Sequence, residues 1–429
     1  MMVARARDVL RLALATALVA ACGSDNPKTG VDAAVDAPPD AASLGVFALP
    51  LGTPSGNDQG ALYTATLTAS GSSFLLDVDT GSTVTGLAGS SCTQCSGMSP
   101  LYLPGTGATD TGQQDSASYA DGSGWMGEIF SDMVGLAHGS PDVKLSFVEI
   151  TSQSTNPAFF FGNEYQGIFG LGPDALLDPG TTAYLDGEIT AGVTGIMAFE
   201  LCPMDGTMWL GGYDPTHVAG TMQYTPILSG GVNQAFYSVN MTAMALGGND
   251  LGATSVTLDN PIVDTGTSLF YIPSATEAAL VAALNNNSGF KALFPGQTLT
   301  DPTTSMSMTA GCATAASGTT QAMIDQMLPK LSMTFAGVAG GSPITVDALP
   351  MSSYFYDAGG GMFCLAVYGG GDQGNATMGD TIMRAFVTVI DKAHHQIGFA
   401  PSAHCPAPFV KPAGHRLRER GRGPHHVRH

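Results

Sequence analysis

Phe74-Leu75-Leu76-Asp77-Val78-Asp79-Thr80-Gly81-Ser82 decides the reading of this chain, because it has a counterpart in Pro261-Ile262-Val263-Asp264-Thr265-Gly266-Thr267. In each, an apolar run closes on Asp-Thr-Gly and a hydroxyl residue follows. Such a run reads as a buried strand, and the glycine as the tight turn that ends it. The two Asp residues stand 185 positions apart in a chain of 429, one copy per half. The halves match a second time: Ile168-Phe169-Gly170-Leu171-Gly172 follows the first copy and Thr377-Met378-Gly379-Asp380 the second. A period this long excludes a solenoid and fits two lobes descended from one ancestor.

Composition agrees with a strand-rich fold. The chain is 44% hydrophobic and only 12% charged, with 56 Gly and 26 Pro. Many short strands joined by turns have this composition, and a helical bundle does not. Alternating or continuous apolar runs predict strands over residues 62–68, 73–78, 237–246 and 386–390. Helical signals are few. Residues 274–284 form the best, with Ser274 as its cap and Glu277 three residues on, and residues 320–328 form a weaker one. The expected architecture is mainly β and bilobal, with lobes over residues 44–225 and 226–410 and the site in the cleft between them.

Charge is segregated. Residues 44–410 hold five Lys or Arg and 29 Asp or Glu, a formal charge of about −24. That surface repels phosphate backbones, so nucleic acid is not an expected partner. Residues 411–429 hold six of the 15 basic side chains, without apolar periodicity, and are expected to be a disordered tail. At the other end Arg5, Arg7 and Arg11 precede an apolar stretch over residues 12–21, then Cys22-Gly23. Residues 1–21 read as an export signal. Val19-Ala20-Ala21-Cys22 resembles a bacterial lipobox, which makes Cys22 a lipidation site. Residues 22–43, rich in Ala, Asp and Pro, read as a tether. The expected location is a lipid anchor at a bacterial cell envelope, with the outer membrane favoured because Gly23 follows the cysteine, or else secretion.

Six cysteines remain: Cys92, Cys95, Cys202, Cys312, Cys364 and Cys405. In an exported chain they read as three disulfides, of about 15 possible pairings. Cys92-Thr93-Gln94-Cys95 has neither a second C-x-x-C nor a nearby His, which favours a loop clip over a redox or zinc pair.

Asp79 and Asp264 are the candidate catalytic residues. Two carboxylates in contact cannot both ionise easily, so they hold one proton between them over a range of pH. The ionised one can take a proton from water while the other hydrogen-bonds the carbonyl under attack. Thr80 and Thr265 can bond across the two halves, Gly81 and Gly266 permit the turns, and Ser82 and Thr267 complete the support. The scheme requires no metal and no organic cofactor. A glycosidase also uses paired carboxylates, but only the presence of two acids speaks for it.

With these residues the chain resembles the pepsin family (A1-type) of aspartic proteases over roughly residues 45–405, in the form found in some bacteria. The resemblance implies a pepsin-like fold and an aspartic endopeptidase acting on peptide substrates, at acidic pH, with apolar or aromatic residues flanking the scissile bond. The alternative is a catalytically weak or inactive binding or inhibitor protein on the same fold. Both Asp residues sit in one chain, so a monomer is expected. Ser118-Tyr119-Ala120-Asp121-Gly122-Ser123-Gly124 resembles the family's flap, the hairpin that covers substrate, which places Tyr119, Asp121, Gly122 and Ser123 at the cleft. Phe159, in Phe159-Phe160-Phe161, resembles a substrate-side position. The resemblance also implies the disulfides Cys312–Cys364 and Cys202–Cys405, leaving Cys92–Cys95 as the clip.

Three positions depart from the family pattern. Gly86 stands where most relatives carry a Trp that bonds the flap Tyr, so the flap is either held through another residue such as Trp125 or is looser. Ala120 replaces a Gly and Gln166 a common Asp. Between Cys22 and Gly45 the only basic residue is Lys28, so no basic inhibitory prosegment is expected.

Overall fold

The computed structural model describes residues 44–53, 62–119, 122–136, 138–156, 158–160, 165–203, 205–229, 235–302, 308–370 and 376–405. The export segment, Cys22, the tether, Ala120, Asp121, Phe161 and the basic tail lie outside the described residues.

Thr64–Ala69 and Ser72–Asp79 form a hairpin across Ser70-Gly71, which have φ of 47° and 77°. Two residues at positive φ give the turn whose twist matches antiparallel strands. Ser72–Asp79 has two exposed residues among its first four and ends with four buried ones, so it runs from the surface into the interior as it reaches Asp79. There it pairs in parallel with Gly167–Gly170, Asp79 opposite Gly170. Gly86–Ala88 lies antiparallel to Gly167–Gly170 and parallel to Val143–Gln153.

The second half repeats this pattern with other residues. Ile262–Val263 pairs in parallel with Thr377–Met378. Phe270–Tyr271 lies antiparallel to Thr377–Met378 and parallel to Val367–Tyr368. Each Asp is therefore delivered by a four-strand unit of the same order and polarity. The coarse sequence repeat is a topological repeat, and the fold is the mainly β, bilobal one expected.

A central group of strands joins the halves. Gln223–Pro226, Gln396–Pro401, Phe386–Asp391, Ile196–Leu201, Asp205–Leu210 and Phe47–Gly52 lie side by side, each antiparallel to the next. The first and last strands of the described chain thus share one sheet. One apolar core, including Leu49, Phe199, Phe270 and Phe399, runs through both halves. Disulfides join Cys92 to Cys95, Cys202 to Cys405 and Cys312 to Cys364. No helix among the described residues is long and apolar enough to cross a membrane.

Some local expectations need correction. The strand expected over residues 237–246 begins only at Met241. Tyr237 and Val239 are buried there, but Val239 makes only an isolated bridge, to Ile227. The helix Ser274–Asn286 is capped by Pro273, and Ser274 is its first residue. The Ser274 hydroxyl donates instead to the carbonyl of Gly369 at 2.6 Å. The weaker helix forms as Gln321–Met327, with Thr320 accepting from the amide of Met323. Gly379-Asp380, the end of the repeat motif in the second half, opens a helical turn, Asp380–Met383.

Candidate active site

Asp79 is the last residue of its strand, and Asp264 directly follows Ile262–Val263. Both are buried. Their surroundings match atom for atom. Asp79 Oδ1 accepts from the amide of Gly81 at 2.8 Å, and Oδ2 from Ser82 Oγ at 2.8 Å. Asp264 Oδ1 accepts from the amide of Gly266 at 2.9 Å, and Oδ2 from Thr267 Oγ1 at 2.6 Å. Two donors on each carboxylate fix its plane and leave one edge toward the other half.

The threonines between them cross the pseudo-symmetry axis. The Thr80 amide donates to Thr265 Oγ1 and the Thr265 amide to Thr80 Oγ1, both at 3.1 Å. Each hydroxyl then donates onward, Thr80 Oγ1 to the Val263 carbonyl at 2.9 Å and Thr265 Oγ1 to the Val78 carbonyl at 2.7 Å. These four bonds lock one loop to the other. The approach is so close that a Cβ on Gly266 would lie 2.4 Å from Asp79 Cγ, and one on Gly81 2.6 Å from Asp264 Oδ1. Glycine is needed here for the space it leaves to the opposing carboxylate.

The segment that resembles the flap is a hairpin of Thr109–Ser118 and Gly124–Leu136. At its tip the Tyr119 amide donates to the Ser123 carbonyl at 2.8 Å, and the Gly122 amide to the Tyr119 carbonyl at 3.0 Å. Gly122 takes φ 82°, and Ser123 is buried. The Tyr119 ring stacks on Phe159, with centroids 5.2 Å apart and planes 24° apart. Trp125 Nε1 donates to Tyr119 Oη at 3.0 Å. Phe159 is fully buried against Phe160, so it backs Tyr119 and does not line an open surface. Gly86 is closed off by Ile150, whose Cδ1 lies 3.0 Å from where a Cβ would sit. Gln166 is buried and its side-chain oxygen accepts from the Leu75 amide at 3.0 Å, which supports the first Asp strand from behind.

A family model described as eukaryotic aspartyl protease matches residues 63–402. The chain belongs to that family. It is 28% identical to a protein named aspartic protease from Phaffia rhodozyma, over 80% of this chain and 77% of the relative. It is 25% identical to beta-secretase of Strongylocentrotus purpuratus, over 78% of this chain and 64% of the relative. Rhizopuspepsin-3 of Rhizopus niveus is 24% identical over 78% and 76%. The chain is an aspartic protease of the pepsin-like kind.

In this protease the carboxyl of Asp264 is buried beside that of Asp79. Burial, and then the charge of Asp79 beside it, push Asp264 up to about 7, against the bonds from Thr267 and Gly266 that favour ionisation. Sharing of one proton is the recognised behaviour of aspartic-protease dyads. Sequence reasoning missed a second set of polar groups in the interior nearby. Asp77 and Asp380 are fully buried, and Arg384 is nearly so. Arg384 Nε donates to Tyr63 Oη at 3.0 Å, and Tyr63 Oη donates to the Cys202 carbonyl at 2.6 Å. The Asp380 amide donates to the Thr267 carbonyl at 2.7 Å, which seats the turn Asp380–Met383 against the second Asp loop. The signal was present in the sequence: Asp77 interrupts an apolar run, and Asp380 closes the repeat motif.

Of the two ways left open for the flap, the structure adopts the one in which Trp125 holds Tyr119. A neutral hydrogen bond of this type contributes about 0.5–1.5 kcal/mol. Trp125→Phe removes the donor and replaces a buried indole by a smaller ring. It is expected to lower kcat/KM by roughly threefold to tenfold and Tm by a few degrees. Peptide kinetics beside a melting curve check this, and unchanged kinetics count against a flap role for the bond.

Proposed function

We propose that the protein is an endopeptidase in which Asp79 and Asp264 activate one water molecule between the lobes. The supporting observation is the matched set of donors on the two carboxylates, joined through Thr80 and Thr265. With Asp264 holding the shared proton, Asp79 takes a proton from the water as it attacks the peptide carbonyl. The Asp264 hydroxyl hydrogen-bonds the carbonyl oxygen and stabilises the tetrahedral intermediate, and its proton then serves the leaving amine. Tyr119, held by Trp125 and Phe159, closes over the substrate from the flap. Work in acid follows from the need for that proton. Aromatic groups at the flap support a preference for apolar or aromatic residues beside the scissile bond.

We extend the proposal to location and state. The sequence around Cys22 supports a lipid anchor at the cell envelope, and one chain holding both Asp residues supports a monomer. The test is cleavage of a denatured protein by the purified chain at about pH 4, with and without a statine-type inhibitor. Cleavage that the inhibitor abolishes supports the reading. A chain that binds the inhibitor without cleaving would be the binding protein of the alternative reading. Partition of the native chain into detergent tests the anchor.

A further inference from the structure

Another cluster of ionisable side chains lies where the middle of the chain meets its end. Glu200, in the strand Ile196–Leu201, is opposite Val387 and Thr207 in the central sheet and its side chain is 3% exposed. His217 closes the helical turn Pro215–His217, and its ring packs edge-on against Trp209 at 5.0 Å. His404 is exposed and immediately precedes Cys405. The backbone brings the segments together: the Ala403 amide donates to the His217 carbonyl at 2.8 Å, and the Ala219 amide to the Pro401 carbonyl at 2.8 Å. The disulfide Cys202–Cys405 pins the same seam, two residues beyond Glu200 and one beyond His404.

The side chains converge. Glu200 Oε1 accepts from Ser402 Oγ at 2.5 Å, and Oε2 contacts His217 Nδ1. The His217 and His404 rings lie 4.1 Å apart and 30° from parallel. One ligand atom from each of Glu200, His217 and His404 lies within 4.8 Å of the other two. Asp214 flanks them. Its carboxyl is held below the usual range first by hydrogen bonds from Thr216, and further by the two imidazoles nearby.

We propose that Glu200, His217 and His404 bind one divalent transition-metal ion of the zinc type. Two imidazoles and a carboxylate are a donor set that suits zinc, leaving a fourth position for water. Bonds of about 2.0–2.2 Å bring tetrahedral ligands to roughly 3.4 Å from one another. The exposed His404 side chain would swing inward, and Glu200 and His217, which now touch directly, would part to admit the ion. A dication also matches the site's charge, with one fully buried carboxylate and a second at the rim. The ion would cross-link the turn Pro215–His217 to the C-terminal strand, apart from the residues that carry the cleavage chemistry.

The test uses the full chain with the tail histidines His415, His425, His426 and His429 replaced by Ala, so that they cannot bind the ion. Zinc is titrated at pH 7.5 by calorimetry, and cobalt by its visible absorption. One ion per chain with Kd of about 10 μM or tighter, and a Tm raised by the ion, are expected. His404→Ala, an exposed change, should weaken binding at least about tenfold while leaving the metal-free Tm and the cleavage rate in acid unchanged. His217→Gln should weaken it likewise. Absence of stoichiometric binding, or binding that His404→Ala leaves intact, overturns the proposal and reduces the cluster to an ion pair.

Discussion

Asp264→Asn is expected to lower kcat by about 10³-fold or more at nearly unchanged Tm in acid. The amide can still accept from the Gly266 amide, and its far end still sits beside Thr267, so the loop keeps its shape. What it cannot do is give and recover a proton. Asp79→Asn should cost as much, because the amide cannot act as base toward water. The two groups act as one unit, so the double variant should be no slower than either single variant. The pH profile supplies a second readout. In the proposed mechanism the reactive form carries a proton on Asp264, which burial and Asp79 push up to about 7. Activity is therefore present below that value and lost as pH rises through it, with kcat/KM falling tenfold per unit above the apparent pKa. A single Asn variant keeping more than about a tenth of the activity would remove that residue from the chemistry.

The legible part of the sequence was the part set by local pattern. Apolar runs that end in Asp-Thr-Gly read directly as strands that enter the interior, because burial and turn chemistry lie within a few residues. Contacts between distant segments had no such signature. The hydrogen bond from Trp125 to Tyr119 spans a hairpin, and only the missing aromatic at Gly86 hinted that a substitute was needed. Phe159 resembles a substrate-side position, but its burial and its stacking on Tyr119 make it the backing of that ring. Ser274 has the pattern of a cap, but Pro273 takes that position and the hydroxyl turns to Gly369. His217 and His404 are 187 residues apart and look like unrelated surface histidines until the sheet aligns Pro401 with Ala219. Helical turns such as Asp380–Met383 are too short to show a period.

Raising the pH from about 4.5 to 7.5 is expected to destabilise the protein by a few kcal/mol, a fall in Tm of roughly 5–10 °C. The cause is a set of buried and half-buried carboxyls whose acid forms the fold prefers. Burial raises Asp264 to about 7 and Asp115 to about 6, the latter with help from Asp178. It also raises Glu188 and Asp325, and it holds Asp380 well above the usual range. Among the described residues neither Asp380 carboxyl oxygen has a hydrogen-bond partner, so desolvation outweighs the attraction of Arg384. Between the ordinary carboxylate range and these raised values the native chain holds protons that the unfolded chain has released. Stability from these groups is thus full at acid pH and drains away as pH rises toward 7, and above it for Asp380. Repulsion within a surface of formal charge −20 over the whole chain acts in the same direction as more acids ionise. Asp380→Asn separates the two causes. The amide cannot ionise in either state, so at pH 4.5 the variant should melt close to the parent. At pH 7.5 it should be the more stable chain, because the unfolded parent gains by ionising Asp380 and the variant does not. Thermal melts of both proteins across this range decide it: a Tm that stays level or climbs toward pH 7.5 in the parent would mean that these carboxyls are not protonated in the native interior.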